Sequence, residues 1–167
     1  MKAQKRRQLS DFKLVPRRGT LATWTCKTPA HTAFGDFEIT LQTDAGKPPD
    51  TKMLQMAEEL VTFADDCSAL ITNTIHASYQ EAWANDPAWV TSQGTPGGVP
   101  REQIKTQLLP PYEIVVSRHD LFTPPYLAKI LLTPRWDQEH ALSLRVHDRQ
   151  IVDVNGSTGY VAYMAKD

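Results

Sequence analysis

The sequence predicts an α+β fold: a mostly antiparallel sheet of about six strands, with a long, kinked helix and a short helix on one face. Three observations carry this reading. Apolar residues recur with a period of two near both ends of the chain, and with steps of three and four only between Thr51 and about Ala84. The order of elements is ββ–α–α–ββββ, without βαβ alternation or an internal repeat. Hydrophobic residues make up 41% and charged residues 22% of the 167, which argues for one packed domain and against a disordered chain.

Residues 1–18 hold seven Lys and Arg against Asp11 alone, a net charge of +6, and no periodic apolar face. They are expected to form a flexible basic tail ahead of a single domain over 19–167. The remaining 11 basic and 18 acidic side chains give that domain a net charge of −7. A nucleic-acid reader usually carries a basic face on its folded part, so nucleic acid is not the expected partner. The basic start has no apolar h-region after it, and no apolar run approaches the ~20 residues of a membrane span. Cys26 and Cys67 form no C-x-x-C pair and suit a reducing compartment. Cytoplasm is the expected location.

The first strand is "GTLATWTCK", with Ala22, Trp24 and Cys26 on one face, and "FGDFEITLQT" pairs with it, placing Phe37, Ile39 and Leu41 on one face. "DAGKPPD" then breaks the pattern, and Asp50 is a good N-cap. The stripe that follows includes Met53, Ala57, Leu60, Val61, Ala64, Cys67, Leu70, Ile71, Ile75, Tyr79 and Ala82. A straight helix of about 30 residues would be ~45 Å long, too long for a compact domain of this size, so a break near "DDCS" is expected. Asn85–Pro100 is rich in turn formers and is expected to be a loop anchored by Trp89. "REQIKTQLL" reads as a short helix stopped by "PPY". Four strands follow: "YEIVVSR", "YLAKILLT", "HALSLRVH" and "QIVDVNG", the last two joined by a tight turn at "DR". Ser143, Arg145 and His147 are expected to face outward.

The segment "RWDQEH" concentrates polar chemistry. A metal reading of Asp137, Glu139 and His140 lacks a second His one helical turn away, and adjacent residues on a strand diverge. In "SRHD", Ser117, His119 and Asp120 come without a G-x-S-x-G elbow and read as a polar strand end. "NGSTG" lacks the G-x-x-x-x-G-K pattern and reads as a turn. No catalytic residue, cofactor or metal is therefore assigned. Trp136, Asp137, Glu139 and His140 are expected to form a structural hairpin shoulder. The acids off the helical stripe, Glu58, Glu59, Asp65 and Asp66, are the candidate partner-binding surface.

Around Trp136, Asp137, Glu139, His140 and Leu142 the chain resembles a group of small bacterial domains of unknown function with a C-terminal W-D-x-E-H-G-L signature. Ala141 stands where that group has Gly, which disfavours a positive-φ turn there. Some members resemble immunity proteins of polymorphic-toxin systems. The resemblance implies a non-catalytic binding domain that neutralises a cognate toxin, and an acidic body suits a basic partner. Two other classes stand beside it: a small housekeeping or regulatory domain without a toxin partner, and a hydrolase or metalloenzyme using Asp137, Glu139 and His140.

Overall fold

The computed structural model describes residues 6–15 and 21–155. Among these, eight strands form one sheet: β1 (Phe12–Val15), β2 (Leu21–Cys26), β3 (Ala30–His31), β4 (Asp36–Asp44), β5 (Leu108–Arg118), β6 (Tyr126–Pro134), β7 (Leu142–His147) and β8 (Gln150–Asn155). The sheet order is β1-β2-β4-β5-β6-β7-β8, with the short β3 paired to β4. All pairs are antiparallel except β4–β5. Parallel neighbours cannot be joined by a tight turn, and here the whole helical section forms the crossover between them.

That section holds α1 (Thr51–Asp66), α2 (Ser68–Asn85) and α3 (Pro87–Ser92), followed by a 3₁₀ helix over Arg101–Gln107. Asp50 caps α1 by accepting the Met53 backbone N–H at 2.9 Å. The expected break falls at Cys67, which leaves helical geometry with φ −112° and ψ 26°. Met53, Ala57, Leu60, Val61, Phe63 and Ala64 are buried on α1, and Ile71, Ile75 and Tyr79 on α2. They pack onto one sheet face, against Phe37, Ile39, Leu41, Ile114, Val116, Ile130, Leu132 and Leu144, to make the core. One stripe assignment changes because the break at Cys67 resets the helical phase: Leu70, read as on the stripe, is 43% exposed.

The count of six strands is corrected to eight by β1 and β3. β1 also corrects the flexible-tail expectation for the described part of residues 1–18. Phe12 pairs with Cys26 in register and is buried, and Leu14 lies opposite Trp24. Arg7 bonds Glu58 on α1, and the Lys27 ammonium bonds the Ser10 carbonyl. Four strand residues with one large buried ring are too short a signal for periodicity to register. At the other end of the crossover, β5 begins at Leu108 and runs through Pro110 and Pro111. A register irregularity between Leu109 and Glu113 accommodates the missing N–H donors.

Ser143, expected outside, is buried on the sheet face opposite the helices, as are Thr23, Thr40, Ser117 and Val115. The Ser117 hydroxyl donates to Gln42 Oε1 across β5–β4 at 3.1 Å. The tight turn at "DR" is present: Asp148 and Arg149 take φ of 47° and 59°. Residues 156–159 of "NGSTG" lie outside the described residues.

The Asn85–Pro100 segment is structured differently from the expected loop. Asp86 caps α3, and Trp89 is 41% exposed, so it does not anchor the segment. Val90 and Val99 are buried instead, and the Tyr79 hydroxyl donates to the Pro96 carbonyl while accepting the Val99 N–H. A Cβ on Gly97 would stand 2.5 Å from the Trp83 ring. Gly97→Ala is therefore expected to lower stability by about 1–3 kcal/mol through overpacking, read as a fall in the urea midpoint. Gly94→Ala would test a different cost, because its φ of 87° strains any side chain while no atom lies close.

Candidate functional site

The turn between β6 and β7 carries the Trp136–His140 segment. Trp136 is 2% exposed and meets the Tyr79 ring edge-on at 5.5 Å between centroids. Asp137 folds the turn on itself: its Oδ1 accepts the His140 backbone N–H at 3.2 Å and lies 3.1 Å from His140 Nδ1. Ala141 is not among the positive-φ residues, so the Gly-to-Ala departure costs no strain here. Glu139 is exposed. Among the described residues no three His, Cys, Asp or Glu side chains converge in a way that could hold a metal ion.

This turn forms one wall of a groove of about 550 Å³ whose other walls are the C-terminal half of α2, the start of α3 and Val154 of β8. Trp89, Trp136, Ala82, Leu142 and Val154 supply apolar surface. Glu81, Asp86, Asp137 and His140 supply the charge-bearing groups, and among the described residues neither Lys nor Arg lines the groove. Asp86 uses Oδ1 for the Trp89 N–H, and Asp137 uses Oδ1 within its own turn. The groove thus combines an open tryptophan face with three carboxylates, of which Asp137 is paired with His140. Sequence reading picked out Trp136, Asp137 and His140 but not Glu81, Asp86 or Trp89, because only the packing of α2 against the β6–β7 turn brings them together.

The four helical acids do not form one open patch. Glu58 accepts from Arg7 Nη1 at 2.9 Å, Asp65 from the Ala33 N–H at 2.7 Å, and Asp66 from Arg149 Nη2 at 2.8 Å. Each of these ties α1 to a different part of the chain. Among the described residues Glu59 bonds the neighbouring Gln55, at 2.9 Å, and it stays exposed.

A second polar cluster sits where β4 and β5 end side by side. Parallel register places Thr43 beside Arg118 and so brings Asp44 to His119 across 75 positions of sequence. His119 Nδ1 lies 2.7 Å from Asp44 Oδ1, and the Asp120 N–H donates to Asp44 Oδ2 at 3.2 Å. Arg118 bridges Asp120 at 2.9 Å and Asp50 at 2.7 Å, Lys47 pairs with Asp120, and the Tyr126 hydroxyl donates to Asp50 at 2.7 Å. Ser117 is turned to Gln42, so "SRHD" assembles no nucleophile–base pair. The cluster clasps the start of α1 to the sheet.

The clasp sets an acid limit on stability. The Asp120 N–H and the His119 ring hold the Asp44 carboxyl below its ordinary 3.8. Burial pushes Asp50 up, but the Tyr126 hydroxyl, the Met53 N–H and Arg118 together bring it below 3.8. Both groups have folded values under their unfolded ones, so their stabilisation is present above about pH 4 and is lost as pH falls through the folded values. Asp44→Asn is expected to flatten this acid limb, measured as urea midpoints between about pH 6 and pH 3. An unchanged acid limb would remove Asp44 from the account.

No curated protein and no solved structure matches the sequence. A family model, described as a domain of unknown function (DUF6985), matches residues 16–161. That span covers the sheet from β2 to β8 and the entire helical crossover, so this chain belongs to the DUF6985 family.

Proposed function

We propose that this chain is a non-catalytic protein-binding domain, acting as a bacterial immunity protein that neutralises a cognate toxin in the cytoplasm. The observation that carries the binding reading is the groove between α2, α3 and the Trp136–His140 turn. It offers an exposed Trp89 beside Glu81, Asp86 and Asp137, with no Lys or Arg among the described residues of its lining. Exposed tryptophan next to desolvatable charge is the composition of a binding hot spot. The net charge of −7 over residues 19–167 complements a basic toxin and speeds its encounter. The W-D-x-E-H resemblance supplies the immunity context. In this reading Glu59 and its neighbours on α1 steer association, and the groove holds the partner once it has arrived.

The test is genetic and then biophysical. A gene beside this one should encode a large secreted protein with a toxic C-terminal domain. Co-expression of this chain should restore growth, and the purified pair should co-elute. Growth arrest unchanged by co-expression, with no association of the purified pair, would contradict the reading.

A further inference from the structure

We infer that the groove accepts an arginine-bearing, amphipathic segment of the partner protein; this rests on the protein-binding reading above and names the chemistry of its ligand. Three features select arginine. First, Trp89 presents an aromatic ring that is 41% exposed, and guanidinium stacks on such a face better than any other cation. Second, the carboxylates of Glu81, Asp86 and Asp137 line the same groove, and both aspartates spend Oδ1 on local backbone N–H groups. Among the described residues their bonds run through one oxygen, which leaves Oδ2 for a guanidinium. Third, the floor is apolar: Ala77, Ala82 and Val154, backed by the buried Trp136 and Leu142, give aliphatic stems and neighbouring leucine-like side chains a surface to cover.

The charge balance discriminates between partners. A nucleic acid or an acidic peptide would meet three carboxylates with, among the described residues, only His140 to offset them. A purely apolar segment would leave those carboxylates desolvated and unpaired, which is unfavourable. A segment with arginines on one face and aliphatic residues on the other answers both demands.

The experiment uses the full chain and short capped synthetic peptides in three versions, alternating Leu with Arg, Lys or Glu. Binding is read from tryptophan fluorescence and by calorimetry. The Arg peptide should bind more tightly than the Lys peptide, and the Glu peptide should not bind. Trp89→Ala should weaken Arg-peptide binding about tenfold or more, and Glu81→Gln with Asp86→Asn should weaken it severalfold and flatten its salt dependence. Asn keeps the α3 cap, so the fold is preserved. Glu38→Gln, exposed on β4 and outside both the groove and α1, should change nothing. Equal binding of all three peptides, or Arg-peptide binding unaffected by the groove substitutions, overturns the inference. The same variants are then titrated with the toxin domain. Toxin binding by wild type that is untouched in the groove variants overturns the inference and leaves the protein-binding reading standing. Absence of toxin binding by wild type overturns the reading itself.

Discussion

Trp136→Ala is expected to destabilise the protein by about 3–5 kcal/mol, the usual cost of removing a large buried aromatic ring. For a domain of this size that corresponds to a fall in melting temperature of roughly 6–20 °C. The ring is 2% exposed and packs edge-on against Tyr79, which in turn holds the Pro96 and Val99 backbone groups. Losing it loosens the α2 face and the segment that follows α3 together. Trp136→Phe should recover much of the loss, because the edge contact survives. Partner binding should fall with Trp136→Ala as well, since the ring is part of the groove floor. A melting temperature unchanged by Trp136→Ala would contradict the packing described for this turn.

Deleting residues 1–15 is expected to have an effect of similar size. The deletion removes β1, strips Cys26 and Trp24 of their cross-strand neighbours Phe12 and Leu14, and breaks the Arg7–Glu58 ion pair. Phe12→Ala alone should account for about 3–5 kcal/mol through the buried ring. Most of the deletion's cost should therefore be reproduced by that single substitution, measured as urea midpoints of the two variants. The truncated protein also exposes β2 as a new edge, and an unpaired edge strand with a large apolar side chain invites self-association. A truncated chain that is as stable and as monomeric as the full one would show that β1 contributes nothing.

These two regions show how far the sequence could be read. Segments of five or more residues with clean alternation, such as Phe37–Leu41 and Tyr126–Leu132, announced their strands, and the core faces followed. The 3.6-residue period located α1 and α2, though not α3, and Asp50 marked their start because an N-cap is a local signal. What failed was short or non-local. β1 has four residues in a basic context, so its charge dominated its pattern. The phase reset at Cys67 moved Leu70 outward although its spacing suited the stripe. Buried Ser143 and Ser117 contradict polar-out reasoning, because the central strands also bury these positions on the face opposite the helices.

The candidate site was legible only in part for the same reason. Trp136, Asp137 and His140 stood out as an unusual local run. Glu81, Asp86 and Trp89 joined them through the packing of α2 and α3, which no local pattern reports. The Asp44–His119 contact depends on the parallel pairing of β4 with β5 across the whole helical crossover.

The central claim is that the groove is the face that holds the partner, and hydrogen exchange of the complex tests it most directly. On addition of the toxin domain, slowed exchange should concentrate in the C-terminal half of α2, in α3 and in the turn from Pro134 to Leu142. The exposed face of α1 around Glu59 should exchange as in the free protein. Slowed exchange confined to α1, with the groove segments unchanged, would contradict the account and assign binding to the helical acids instead.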